Sequence, residues 1–135
     1  MPGQRILDVL FATAVAVSVV HYTDNYTAFE AYPRATSGPS PTATTILVAW
    51  FAFTAFGVAG YVLFRRGRTG AAALCLGFYS LSGLVGIGHY TVPGMTEEVW
   101  WRQAHVIADV LCGLALLAFS VWCARRAPTP GAHLH

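Results

Sequence analysis

The chain has 135 residues, of which 56% are hydrophobic and only 10% charged, with a formal net charge of +2. An ordinary soluble domain is roughly 45–50% apolar and about 25% charged, so this balance points to a membrane protein and excludes disorder over most of the length. So small a charge, with no basic patch interleaved with aromatics, also argues against nucleic acid as a partner.

Four stretches can cross a hydrocarbon core about 30 Å thick, which takes roughly 20 helical residues. They cover about 6–22, 45–64, 70–90 and 101–123. Backbone groups in lipid must satisfy one another, and the alternating segments of a barrel are absent. The expected fold is therefore all-α: an integral membrane four-helix bundle over 1–126, with 127–135 as a mobile cytoplasmic tail.

Span one follows Arg5 and contains Ala12, Ala14 and Ala16, features shared with a signal peptide. Asp8 interrupts the run and no clean cleavage site follows, so the segment reads as a retained span. Asp8 is expected at the start of the helix, where a carboxylate complements the helix dipole. A long loop of about 22 residues links spans one and two. In its first half Tyr22, Tyr26, Phe29 and Tyr32 recur at helical spacing. That pattern suggests a short amphipathic helix, either lying in the interface or capping the bundle. The second half, Thr36 to Thr45, is rich in Pro, Ser and Thr and reads as irregular.

Span two has no ionisable residue, and its Trp50, Phe51, Phe53 and Phe56 are expected to wall a site or face lipid. A link of about five residues makes spans two and three a tight antiparallel hairpin. Span three is rich in glycine (Gly77, Gly83, Gly86, Gly88), and span four carries Ala104, Ala108 and Cys112 at small-xxx-small spacing. Both patterns permit close helix approach. A link of about ten residues joins these spans. Cys75, Cys112 and Cys123 are scattered through apolar runs, form no Cys-x-x-Cys pair, and read as small hydrophobes.

Arginines orient the bundle. Arg5, Arg65, Arg66, Arg68, Arg125 and Arg126 fall on one side; only Arg34 and Arg102 fall on the other, and lysine is absent. The positive-inside rule then places both termini in the cytoplasm, in the plasma (inner) membrane. Trp100 and Trp101 read as outer interface anchors and Trp122 as an inner one.

Ionisable groups within spans are expensive, so each needs a reason. His21 and Tyr22 end span one, with Asp24 and Asn25 just beyond; His89 and Tyr90 end span three; His105 and Asp109 lie in the first turns of span four. At 1.5 Å rise per residue, His105 lies roughly 6 Å and Asp109 roughly 12 Å below Trp101. The faces agree too. Ala14, Ser18, His21 and Asn25 share a stripe, as do Tyr79, Ser82, Gly86 and His89; His105, Asp109 and Cys112 form a third.

Three chemistries suit such a cluster. Imidazole with carboxylate binds Zn²⁺, Fe²⁺ or Cu²⁺, with His21, His89, His105, Asp109 and Asp24 as ligands and Tyr22, Asn25 and Tyr90 as their supporting partners. Alternatively, Asp109 and His105 carry out acid–base chemistry on a lipid-soluble substrate. Haem held by two facing histidines is a weaker third reading, because the site is shallow. The bland reading is that these groups only bond headgroups and neighbouring helices. Asp109 is deep enough to tell against it, whereas His89, at a helix end, fits it better alone. His133 and His135, in the tail, are assigned no role. Beyond the bilayer itself, partners of two kinds fit. One is a larger membrane complex, in which the chain would be an accessory subunit; the other is a second copy, as in a small-solute or proton carrier.

Overall fold

The structure, a computed structural model, describes residues 2–34 and 41–127, with only the backbone of Pro2. Helices α1 (Pro2–Thr27), α2 (Ala43–Arg65), α3 (Thr69–Leu84) and α4 (Trp100–Arg125) form it, with no strand among the described residues. Short 3₁₀ turns occupy Phe29–Ala31, Val85–Thr91 and Met95–Glu97. With its 3₁₀ extension, α3 forms one segment, Thr69–Thr91. That segment and the other three helices are each long and apolar enough to cross a membrane. The tail beyond 127 and the first half of the Pro/Ser/Thr-rich stretch, residues 36–40, lie outside the described residues.

The helices close into a ring in which each packs on its chain neighbours and α1 returns to α4. The α2–α3 hairpin turns through Gly67 at φ +76°, the left-handed cap conformation that glycine adopts without strain. Its amide bonds the Phe64 carbonyl, and that of Arg68 bonds Leu63. Large apolar side chains, among them Val48, Phe51, Leu74, Phe78 and Leu111, cover the outside of the ring. Such a surface is stable against acyl chains, not against water.

At the arginine end the interior is apolar: Leu7, Ala73, Leu76, Phe119 and Cys123 pack together, with Ala14, Tyr79 and Leu116 above them. At the other end it is polar, with Ser18, His21, Asn25, Arg102, His105 and Asp109 all buried.

Several expectations need correcting. α1 starts earlier and runs further than 6–22, so Asp24 and Asn25 are helical rather than in a loop. Asp8 consequently lies past the first turn; it accepts from the Tyr61 hydroxyl at 2.8 Å and pairs with Arg65 at 3.5 Å, tying α1 to α2 instead of capping a dipole. The amphipathic pattern at residues 22–32 resolves into the last turns of α1 and one 3₁₀ turn that caps the bundle. Ala43 to Thr45 are helical, not irregular, because the Thr42 hydroxyl caps α2 by accepting from the Thr45 amide.

α3 stops being α-helical at Leu84, short of residue 90. Gly83, Gly86 and Gly88 weaken the helix, and Pro93 lies just ahead. The α3–α4 crossing uses Gly83 against Asp109 and Gly113; on the Ala104–Ala108–Cys112 edge, Cys112 packs against Ala14 and Tyr79 while Ala104 is exposed.

Candidate functional site

Four buried positions on α1 build one wall: Ser18, His21, Tyr22 and Asn25, at i, i+3, i+4 and i+7. Asp109 rises opposite from α4, and His89 enters from the 3₁₀ turn after α3. A 3₁₀ turn advances about 120° per residue against about 100° in an α-helix, so His89 is rotated by about 100° from where a continued helix would carry it.

The groups expected to form one centre separate into two networks. In the first, His21 Nδ1 lies 2.7 Å from Asp109 Oδ2, with both side chains almost wholly buried. With Asp109 as the carboxylate, Nδ1–H donates to it, and a neutral ring then presents its lone pair at Nε2. His21 Nε2 faces His89 Nε2 at 3.4 Å, and Asn25 Nδ2 lies 3.4 Å from that same His89 nitrogen.

The second network centres on Asp24. Its Oδ2 accepts from the Tyr32 hydroxyl at 2.5 Å, from Arg102 Nε at 3.1 Å, and faces His105 Nε2 at 3.3 Å. Arg102 also donates to Glu98 at 2.6 Å, and its guanidinium lies 4.6 Å from the centroid of the Tyr32 ring. Burying a charge is tolerable only with such partners. Tyr32, Arg102 and Glu98 were not read as site residues. The i, i+4 spacing of Glu98 and Arg102 at the start of an apolar span was the available signal for two of them.

Burial, and then the Asp24 carboxylate to which it donates, hold the Tyr32 phenol well above the usual tyrosine range. A phenol kept neutral in this way contributes its full stabilisation below about pH 10 and loses it as pH rises towards the folded value. Tyr32→Phe is expected to cost roughly 1.5–3 kcal/mol, the range for a hydrogen bond to a charged group. It should also flatten the loss of stability above pH 10. Thermal unfolding of both proteins across pH 7–11 checks this, and parallel curves would contradict it.

The pairing of His105 with Asp109 does not form. Asp109 bonds His21, while His105 turns to Asp24 and stacks near Trp101, 5.6 Å between centroids. Of the five expected metal ligands, three imidazoles lie close together: the His21 ring is 5.5 Å from that of His89 and 5.4 Å from that of His105. No group of three or more His, Cys, Asp or Glu among the described residues is placed to hold a metal. Nδ1 of His21 and Nε2 of His105 face different carboxylates. A haem would need space between facing histidines, but the His21 and His89 rings are 5.5 Å apart and their Nε2 atoms nearly touch.

Of the supporting residues, Asn25 joins the first network. Tyr22 packs beside His21 and donates to the Ser82 carbonyl at 3.1 Å. Tyr90 is 36% exposed and stands outside both networks.

A cavity of about 450 Å³ opens beside the first network, between α1, α2 and the 3₁₀ turn, and is roofed by residues 29–34. His21, Asn25 and His89 form its polar wall, while Ile46, Phe53 and Val85 are part of the apolar one. Asp109, Asp24 and His105 do not reach it. A space of this size lies within the roughly 300–1,000 Å³ range of small-molecule pockets.

Set against protein-family models, curated proteins and solved structures, the chain gives no match to any of them.

Proposed function

We propose that this chain is an integral protein of the plasma membrane, with both termini cytoplasmic, whose outward half holds a proton-transfer site for a lipid-soluble substrate. The observation that carries the reading is the string Asp109–His21–His89, at 2.7 and 3.4 Å, ending at the wall of a largely apolar cavity. A carboxylate that fixes one imidazole nitrogen leaves the other free to take a proton, the division of labour in general base catalysis. Apolar walls beside lipid suit a substrate that enters from the bilayer.

In this reading Asp109 orients His21, His21 Nε2 moves the proton, and His89 passes it onward or holds the substrate. His105 belongs with Asp24 in bracing the outer rim. The inward half of the core is closed by Leu7, Leu76, Leu116 and Phe119, which favours chemistry on one side over passage of a solute across. A transition metal expected from the residue types is less well served, because His21 Nδ1 and His105 Nε2 face separate acids.

The test is hydrogen exchange into lipid. Native membranes carrying the protein are incubated in D₂O, the lipids are extracted and washed in H₂O, and carbon-bound deuterium is read by mass spectrometry. One lipid class should gain label with the wild type and not with His21→Gln. Equal labelling in both, with the variant folded, would overturn the proposal. Elemental analysis of the same preparations decides the metal question: stoichiometric zinc, iron or copper lost in His21→Gln would replace proton transfer with a metal site.

A further inference from the structure

Hydrogen-bond arithmetic at the cavity wall identifies what the site takes. In the neutral ring that the base reading requires, with Nδ1–H given to Asp109, His21 Nε2 accepts. His89 Nε2 lies 3.4 Å from that acceptor and 3.4 Å from the Asn25 amide nitrogen, which can only donate. If His89 Nε2 carries a proton it serves His21 and opposes Asn25; if it carries a lone pair it serves Asn25 and opposes His21. With His21 neutral, the three nitrogens therefore cannot all be satisfied by one another, and a buried polar group without its bond is costly. An acceptor oxygen placed at the wall resolves the mismatch by receiving N–H from both Asn25 and His89.

Charge narrows the class further. Among the described residues no aspartate or glutamate lines the cavity, so a cationic ligand finds no counter-charge. Its single arginine, Arg34, is paired with Glu30 at 2.6 Å and lies over the Phe29 ring. The remaining walls are mostly apolar.

We infer that the cavity binds a neutral, largely apolar carbonyl compound, its oxygen held by Asn25 Nδ2 and His89 Nε2 and its neighbouring C–H presented to His21 Nε2. This rests on the proton-transfer reading and names its substrate class. His21 Nε2 takes the proton from the carbon beside the carbonyl. The electron pair of that C–H bond becomes the new carbon–carbon π bond, and the carbonyl π pair moves onto oxygen, where two N–H donors meet the charge that develops. Return of the proton to the same carbon gives exchange; its return to the far carbon of an unsaturated ketone moves the double bond. No oxidant, reductant or second substrate is needed.

The experiment uses 3-octyl-2-cyclohexenone labelled with ¹³C at the carbonyl, titrated into the full chain in lipid nanodiscs and followed by the infrared carbonyl stretch. Saturable binding of one probe per chain is expected, with the stretch moved to the lower frequency of a hydrogen-bonded carbonyl. Asn25→Leu should abolish the shift or weaken binding at least tenfold. Phe53→Trp, which fills the apolar side and leaves the polar wall untouched, should displace the probe and so guards against misfolding of the first variant. Absence of saturable binding to wild type, or an identical stretch in wild type and Asn25→Leu, would overturn the inference. The lipid-exchange result would still stand in that case. A bound, shifted carbonyl with no deuterium exchange would instead remove the catalytic reading alone.

Discussion

Replacing Asp109 by asparagine should lower deuterium incorporation into lipid by roughly 10²–10⁴-fold, the range typical for loss of a general acid–base group, while the bundle still assembles. Asp109 Oδ2 lies 2.7 Å from His21 Nδ1, and a carboxylate there favours the neutral tautomer whose Nε2 lone pair faces the cavity. Asparagine has the same shape but can offer an N–H at that position. His21 can then accept at Nδ1 and carry its proton on Nε2, where it no longer acts as a base. Because the contact is kept with reversed polarity, the fold should lose little. Asp109→Ala differs: it leaves the Nδ1–H buried and unpartnered, at a cost of about 1–3 kcal/mol. Labelling by Asp109→Asn at the wild-type rate would show that the carboxylate does not set the base.

Among the described glycines, Gly83→Ala should be the most disruptive substitution by a single methyl group. A β-carbon there would collide with the Asp109 carbonyl oxygen and stand 3.0 Å from its carbonyl carbon and 3.1 Å from the Gly113 nitrogen. All three are backbone atoms, so no side chain can rotate away and α3 and α4 must separate. Overpacking usually costs about 1–3 kcal/mol, and this site belongs at the top of that range. Separation at Asp109 would also move the carboxylate away from His21, so lipid labelling should fall together with stability. Gly88→Ala is the matched control: nothing lies within 4 Å of a β-carbon there, and the change should stay within about 0.5 kcal/mol. Unfolding in mixed micelles compares the two, and equal midpoints would refute the close crossing.

Both outcomes depend on relations that a linear reading reaches only in part. Hydropathy alone is enough to find four crossing helices, because each must supply its own apolar length and backbone bonds. Rise per residue is likewise enough to set His21, His89 and His105 at one level, since depth along a helix follows from counting. Partner choice does not follow from counting. His105 and Asp109 are i, i+4 neighbours, yet each bonds a residue of α1, because α1 continues past residue 22 and carries Asp24 to the rim.

The same limit applies to His89, whose direction depends on a change of helix type at Leu84, and to Tyr32, which the chain folds back onto Asp24. The cavity is enclosed by α1, α2, the 3₁₀ turn after α3 and the roof at residues 29–34. Length, composition and helical rise therefore determined the spans and the depth of the polar slab, since those are properties of each helix alone. Only the tertiary structure decided which acid holds which imidazole and where the cavity opens. Those depend on how far helices run and how closely glycine lets them approach, and both are settled between segments distant in the chain.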